Sequence, residues 1–142
     1  MIVLDTNVLS ELMHRSPHPV VLEWINRQAR DAIWITSITV FEVQTGLELR
    51  PLGCKRDEIA AGFSRVLGER LSGRMLPLDT PAAIEAGRIA AERRSRGFID
   101  DPRDTLIAGI VVTHDATLVT RNLRHFVDIV PMVINPWSTG VD

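Results

Sequence analysis

Short, uncharged apolar segments recur along this chain, and most are followed by stretches with helical spacing. The first segment, Met1-Ile-Val-Leu4, is continuous and β-branched, and it ends at Asp5-Thr6-Asn7. An uninterrupted apolar run of this kind predicts a strand that is buried on both faces. Strands of that type are found in parallel sheets covered by helices, so this pattern favours an α/β architecture.

Four later segments continue the pattern and are predicted to be strands: Ile33-Trp-Ile-Thr36, Met75-Leu-Pro-Leu78, Thr117-Leu-Val-Thr120 and Met132-Val-Ile134. Helices are predicted after Asp5, from Pro19, from a cap at Ser37 or Thr39, and over residues 56–71, 81–97 and 103–112. The resulting order is β-αα-β-αα-β-αα-β-α-β, with short connections. It predicts a three-layer α/β/α fold around a mostly parallel sheet of about five strands. Because no repeat, linker or low-complexity segment interrupts the pattern, residues 1–142 are expected to form a single domain.

Cysteine content and hydropathy indicate the environment of the chain. Cys54 is the only cysteine, so no internal disulfide can form and a reducing, cytoplasmic setting is expected. The longest apolar stretch, residues 106–112, has seven residues. A membrane span needs about 20, so no contact with a membrane is expected.

The charge balance restricts how the protein can contact nucleic acid. The chain has 16 basic and 18 acidic residues, a net charge of −2, and Lys55 is its only lysine. A protein without excess positive charge is not suited to unselective coating of nucleic acid. Arginine can still make planar, bidentate contacts with individual phosphates, which would allow local contact with RNA.

Several oxygen-bearing side chains fall where the strands of such a sheet end. Asp5 follows the first strand, Glu42 lies in the helix after the second, and Asn122 follows the fourth. Asp104 lies in the first turn of the helix that precedes the fourth strand. Ligands of open parallel sheets bind outside the carboxyl ends of the strands. We therefore expect these four residues to converge at one edge of the sheet.

Each of these residues also has a purely structural interpretation. Asp5 can form an Asx turn, and Asn122 is an ordinary turn residue. Asp104 can stabilise a helix start in which Asp101 is the N-cap and Pro102 the first residue. Glu42 is harder to explain in this way, because no cation lies three or four residues from it in the sequence.

A joint interpretation accounts for the acids together. Three carboxylates at about 5 Å would repel one another by roughly 3 kcal/mol per pair at an effective dielectric constant near 20. Mg²⁺ or Mn²⁺ would remove this repulsion and leave coordination positions open for water and phosphate oxygens. The sequence therefore predicts metal-assisted hydrolysis of a phosphodiester bond.

Five ordered motifs carry a resemblance to a known family. They are Ile2-Val-Leu-Asp-Thr-Asn-Val-Leu-Ser10, Ser37-Ile-Thr-Val-Phe-Glu-Val43 with Gly46, Asp104 with Leu106-Ile-Ala108, Leu118-Val-Thr-Arg-Asn122, and Ile134-Asn-Pro-Trp137. Together they are distributed along essentially the whole chain. In these motifs the chain resembles PIN-domain proteins of the VapC/FitB type, the toxins of type II toxin-antitoxin pairs.

The resemblance implies an activity and its partners. It implies an Mg²⁺- or Mn²⁺-dependent endoribonuclease that forms a homodimer and is silenced by a small antitoxin of the VapB/FitA kind. Asp5, Glu42 and Asp104 match the most constant acids of the family, and Thr6 and Thr120 match supporting hydroxyl positions. The chain departs from the family's acidic quartet at Asn122, where many relatives have Asp. The asparagine carbonyl oxygen can still bind a metal or its water.

Two other function classes were weighed from the residues. A phosphotransfer domain typically needs a lysine at the end of a later strand, and Lys55 does not lie there. The alternative that stays open is a catalytically weak PIN-like module that binds RNA or a protein partner without cutting.

Arginines and histidines complete the list of candidates. Arg121 and Arg124 flank Asn122, and they are either contacts for the RNA backbone or solvated charges. Arg93 and Arg94 are further candidates for contact with RNA or the antitoxin. The histidines do not form a zinc motif, and His125 is expected to be a surface residue.

Overall fold

A parallel sheet of five strands forms the centre of the fold, in the order β3-β2-β1-β4-β5. The computed structural model describes residues 1–99 and 101–138. The strands are β1 (Ile2–Leu4), β2 (Ile33–Thr36), β3 (Met75–Leu76), β4 (Thr117–Val119) and β5 (Val133–Ile134). All four pairings are parallel, and Ile2 of the central strand is in register with Ile33 and with Thr117. The carboxyl ends of the strands therefore share one edge.

Helices cover both faces of this sheet within the described residues. They are α1 (Thr6–Met13), α2 (Pro19–Asn26), α3 (Ser37–Leu49), α4 (Cys54–Arg65), α5 (Thr80–Ser95) and α6 (Pro102–Thr113). One apolar core contains side chains of α1 to α4, and a second core contains side chains of α5 and α6. None of these helices combines the length and hydropathy that crossing a membrane requires. The predicted three-layer α/β/α architecture is confirmed.

The fourth helix differs from the prediction of one continuous α-helix over residues 56–71. It begins at Cys54 and changes at Val66 into a π-helical turn, Val66–Arg70. The Leu71 amide donates to the Val66 carbonyl across this turn at 3.1 Å. Both Val66 and Leu71 are buried, because the wider turn brings residues five apart onto the same side of the helix.

Two further expectations were wrong in detail. The cap of α3 is Thr36, whose hydroxyl accepts from the Thr39 amide at 3.2 Å, and not Ser37 or Thr39. The helix expected between β4 and β5 is only a 3₁₀ turn, Leu123–His125. A parallel connection this short leaves little room for a longer helix, because Val133 already pairs with Leu118.

The two helices of the second core approach each other closely at Gly109. A β-carbon at this position would lie 2.6 Å from the Ala82 carbonyl oxygen and 2.6 Å from the Ala86 β-carbon. The α5–α6 contact is the most extensive between any two elements of the described residues. No side chain larger than hydrogen fits at Gly109, so the backbone of α6 is fixed against α5.

Candidate active site

The four residues expected to converge lie around one pocket at the carboxyl edge of the sheet. This pocket has a volume of about 310 Å³ and is lined by Asp5, Thr6, Asn7, Ser10, Glu42, Asp101, Asp104, Asn122 and His125. The acids reach it from three separate elements: the end of β1, α3 and the first turn of α6. The convergence predicted from the order of strands and helices is thus present in the structure.

Asp5 is the most deeply buried of these acids, with 5% of its surface exposed. It is the N-cap of α1: its Oδ1 accepts from the Thr6 amide at 2.8 Å. Its Oδ2 accepts from the Thr120 hydroxyl at 2.7 Å and from the Asn7 amide group at 3.2 Å. Burial raises the pKa of Asp5 above its ordinary value, and these hydrogen bonds oppose the rise. Asp5 therefore both caps the helix and presents a carboxylate to the pocket.

Asn7 joins the ends of β1 and β4, a role that the sequence analysis does not assign to it. Its amide group lies 3.3 Å from the Thr120 hydroxyl oxygen, and its carbonyl accepts from the Arg121 amide at 3.1 Å. The buried Thr120 hydroxyl also accepts from the Asn122 amide at 3.0 Å. Asn7 and Thr120 therefore fix Asp5 and Asn122 relative to each other. The only signal for Asn7 in the sequence is its place in the Asp5-Thr6-Asn7 motif.

Glu42 reaches the pocket from the second turn of α3, with 21% of its side chain exposed. The Thr6 hydroxyl lies 3.1 Å from Glu42 Oε1, and Arg103 Nη1 lies 3.8 Å from Glu42 Oε2. Burial raises the pKa of Glu42, and the charges of Asp5 and Asp104 raise it further, whereas Thr6 and Arg103 lower it. Glu42 has no cation three or four residues away in α3, and Arg103 of α6 supplies one instead.

Asp104 lies at the start of α6, where Asp101 is the N-cap and accepts from the Arg103 amide at 2.9 Å. The cap predicted at Asp101 is therefore confirmed. The Asp104 side chain is 21% exposed. Burial raises the pKa of Asp104, and so does the negative charge of Asp5, while His125 lowers it. Asp104 thus faces the other acids of the pocket in addition to its place in the helix start.

His125 is a surface residue, as predicted, and it also contacts Asp104, a contact that the sequence analysis does not assign. Its Nδ1 lies 3.0 Å from Asp104 Oδ2, and about half of its side chain is exposed. It comes from the 3₁₀ turn after β4, 21 residues along the chain from Asp104. No local spacing links the two residues, and only the tertiary fold brings them together.

The donor chemistry of the pocket suits a hard divalent cation. Carboxylate oxygens dominate it, and each of the three acids has a raised pKa. Within residues 1–99 and 101–138, however, no three His, Cys, Asp or Glu side chains are grouped so that they could hold a metal ion together. Mg²⁺ does not require such a group, since it commonly keeps several waters and binds one or two carboxylates. The residues fit this ion on their chemistry.

A comparison with family models decides the relationship of the chain. The model described as the PIN domain matches residues 2–129. The chain belongs to the PIN-domain family.

Relatives of this PIN domain match it over nearly its whole length. Plasmid stability protein StbB of Pseudomonas syringae pv. tomato is 34% identical over 138 residues, covering 97% of this chain and 99% of the relative. VapC ribonuclease Y4jK of Sinorhizobium fredii has the same identity and coverage. Toxin FitB of Neisseria gonorrhoeae is 30% identical over 137 residues, covering 96% and 99%. The crystal structure of FitAcB from that organism matches with a TM-score of 0.82 at 30% identity, covering 97% and 99%.

The arginines of the PIN domain occupy different surroundings. Arg121 lies over the Trp137 ring at 4.9 Å, and Arg124 lines a neighbouring pocket that also contacts Asp104 and His125. Contact of Arg121 and Arg124 with RNA stays a prediction, as it does for the exposed Arg94. Arg93 is only 3% exposed, so its predicted contact with RNA or an antitoxin was wrong.

Proposed function

We propose that this PIN domain is a divalent-metal-dependent endoribonuclease, the toxin of a type II toxin-antitoxin pair. The observation that carries the proposal is the convergence of Asp5, Glu42 and Asp104 from separate elements onto one pocket, where the charge of Asp5 raises the pKa of both other acids. A cluster of negative charge at the carboxyl edge of a parallel sheet is suited to a cation and its phosphate ligand. The similarity to a VapC ribonuclease supports RNA as the substrate.

Asp5, Glu42 and Asp104 would hold the ion, which we propose to be Mg²⁺ or Mn²⁺, and Asn122 would support it through its carbonyl oxygen. When bound, such an ion lowers the pKa of a water and stabilises the charge that develops on phosphorus. Thr120 holds Asp5 by a hydrogen bond to its carboxylate. Thr6 does the same for Glu42. Both hydroxyls therefore favour the ionised acids that a cation needs.

Arg121 and Arg124 are proposed to contact the RNA backbone beside this pocket. Arg124 is exposed and lines the adjoining pocket with Asp104 and His125, so it lies next to the acids without pairing with them. Arg121 is held flat against Trp137 beside Asn122. A guanidinium in a fixed plane is suited to bidentate contact with a phosphate.

Cleavage of RNA by the purified protein tests the proposal. The protein is incubated with a mixture of tRNA, ribosomal RNA and messenger RNA in EDTA, Mg²⁺ or Mn²⁺, and Mn²⁺-induced thermal stabilisation is measured in parallel. We expect cleavage and stabilisation only with the metals, and loss of both in Asp104→Asn. The matched control is Asp115→Asn, which removes the same charge at the turn before β4, where the left-handed backbone (φ 50°) tolerates asparagine.

The outcomes separate the candidate functions. Absence of Mn²⁺-induced stabilisation in the wild type would reject the metal site. Stabilisation and RNA binding without cleavage would favour the non-cutting module, since that protein needs the pocket but not the reaction.

The partners follow from the same proposal. We propose that the protein forms a homodimer and that a small antitoxin silences it, in line with its similarity to Toxin FitB. Induced expression of the wild type alone is then expected to arrest bacterial growth, while Asp104→Asn and co-expression with the antitoxin relieve the arrest. Equal arrest by wild type and Asp104→Asn would contradict the assignment as a nuclease toxin.

A further inference from the structure

An ion pair between the buried Arg93 and the exposed Asp128 lies behind the acidic pocket, and Arg96 Nη2 also lies 3.4 Å from Asp128 Oδ2. Arg93, in the last turn of α5, is 3% exposed. Its Nη2 lies 2.8 Å from Asp128 Oδ1 and its Nε lies 3.3 Å from Asp128 Oδ2, so the guanidinium grips both carboxylate oxygens. Its Nη2 also donates to the main-chain carbonyl of His125. Arg93 therefore contacts the segment 123–130 at two places.

Stability alone is a weak reason for such a pair. Burying the Arg93 guanidinium is costly, and a well-packed apolar residue in its place is often at least as stabilising. The segment that Arg93 holds, residues 123–130, contains only a 3₁₀ turn and has no strand or α-helix of its own. Phe126 and Val130 anchor it in the second core, but apolar contacts do not fix the direction of a polar side chain. The directional hydrogen bonds of Arg93 can fix the orientation of this segment, which apolar contacts do not.

The functional consequence lies at His125. Its carbonyl is held by Arg93, and its ring Nδ1 lies 3.0 Å from Asp104 Oδ2. His125 thus connects the Arg93–Asp128 pair to the Asp104 carboxylate of the pocket. Asp104 is one-fifth exposed, and the exposed Arg103 of the same helix turn is committed to Asp101 and Glu42. Within residues 1–99 and 101–138, His125 is the side chain found to hydrogen-bond the Asp104 carboxylate.

We propose that Arg93 and Asp128 form a positioning pair that holds His125 against Asp104 and thereby sets the orientation of the Asp104 carboxylate. The catalytic consequence rests on the proposed nuclease function, whereas the structural consequence does not. Partners of metal-binding carboxylates typically affect metal affinity or activity by about 10- to 100-fold when they are removed.

The first test uses the metal-free protein. Donation from the His125 ring to Asp104 requires the proton on Nδ1. NMR of protein with ¹⁵N-labelled histidine reports which ring nitrogen carries the proton. We expect the Nδ1–H form in the wild type and its loss in Asp104→Ala, which removes the acceptor. We also expect a mixture of tautomers when Arg93→Met and Asp128→Leu are combined.

The second test measures cleavage kinetics on the same variants. The double variant removes the buried guanidinium and the Asp128 carboxylate together, and Arg96, which also contacts Asp128, keeps its contact with Glu92. Its Tm is expected to stay close to that of the wild type. Its kcat is expected to fall about 10- to 100-fold with little change in KM. His125→Ala should lose as much, and His125→Asn should recover most of the loss because its amide can donate near the position of Nδ1. Arg88→Gln, which breaks a surface pair with Glu85 on the same helix, is the matched control and should behave as the wild type.

Coupling between the variants decides the result. If Arg93 and Asp128 act through His125, adding His125→Ala to the double variant should cause no further loss of kcat. The proposal would be overturned if the losses of kcat in the double variant and in His125→Ala add when the substitutions are combined. It would also be overturned if the double variant had the kcat and the tautomer of the wild type. If the double variant does not fold, Arg93→Lys replaces it, since lysine keeps the charge but loses the two-pronged grip. A wild type that cleaves no RNA would reject the nuclease function, and the tautomer measurement would still decide the positioning role.

Discussion

The acidic pocket has two halves that are built differently. The strand half consists of Asp5 with Asn7 and Thr120, and it lies where β1 and β4 end. The helix half consists of Asp104 at the start of α6 with His125 beside it. Asp5 is 5% exposed and has three hydrogen-bond donors, whereas the Asp104 side chain is 21% exposed and is held by His125.

This difference shows how the position of each acid is determined. The strand half is fixed by the sheet ladder itself, since the Asp5 amide donates to the Val119 carbonyl at 2.9 Å. The helix half depends on a chain of contacts that runs through His125 to the Arg93–Asp128 pair at the end of α5. We therefore expect the position of Asp5 to be sensitive only to substitutions next to it. The position of Asp104 should also be sensitive to substitutions of the distant Arg93 and Asp128.

The largest effect is expected from Asp5→Asn. Asparagine retains the N-cap of α1, so the fold should survive, but the pocket loses its most buried charge. We expect RNA cleavage to fall by about 10³-fold, the upper range for removal of one preorganised electrostatic group. Circular dichroism checks the fold, and initial cleavage rates with Mn²⁺ check the activity. An equal or larger loss in Asp104→Asn would contradict the ranking of the two halves.

Asp128→Asn should weaken the support of the helix half. Arg93 lowers the pKa of Asp128 below its ordinary value of 3.8. The stabilising effect is therefore complete above that pH and is lost as pH falls through the lowered pKa. We expect the variant to be about 1.5 kcal/mol less stable than wild type at neutral pH, the low end for a hydrogen bond between charged groups because Asp128 is exposed, and the difference to shrink in acid. Urea unfolding of both proteins between pH 7 and pH 2 measures it, and a difference independent of pH would contradict the ion pair as its cause.

Thr120→Val should loosen the strand half without changing its charge. The variant loses the hydroxyl that donates to Asp5 Oδ2, so the pKa of Asp5 should rise further and cleavage should require a higher pH. We expect Mn²⁺ affinity to fall about tenfold, measured by calorimetry. Thr113→Val is the matched control, because its hydroxyl donates only within α6, to the Gly109 carbonyl. If both variants bind Mn²⁺ with similar affinity, Thr120 does not contribute to the metal site.

The smallest effect is expected from Arg103→Gln. Arg103 is 48% exposed and lies 3.8 Å from Glu42, so it competes with a cation for that carboxylate. Its removal should increase Mn²⁺ affinity about threefold at low salt and leave it unchanged at high salt, where exposed charges are screened. Calorimetric titrations at two ionic strengths measure this. A decrease in affinity would show instead that Arg103 helps to assemble the pocket.

The fold could be predicted because its signals are local. The apolar run before Asp5 specified β1, and Asp101-Pro102 specified the start of α6. The π turn after Arg65 could not be predicted in this way, since it depends on burying Val66 and Leu71 together in the core. That residues 1–142 form one domain stays a prediction.

Only part of the candidate site could be predicted, because only some of its features follow from local signals in the sequence. Asp5, Glu42, Asp104 and Asn122 could be placed at one edge from the order of strands, and their roles stay predictions. His125 and Arg103 were missed as partners, because the contacts that matter join residues of different elements. Arg93 looked like a surface cation in the sequence, and only the tertiary structure shows that α5 buries it against Asp128.

The close approach at Gly109 determines which distances in the pocket can change. With no side chain between them at this point, α5 and α6 pack closely together, and we expect them to move as one body. α5 carries Arg93 and α6 carries Asp104, and residues 123–130 are attached to both helices. A displacement of this body relative to the sheet carries Asp104 and His125 together and alters only their separation from Asp5 and Glu42. A ligand that contacts both halves would therefore be expected to change the width of the pocket.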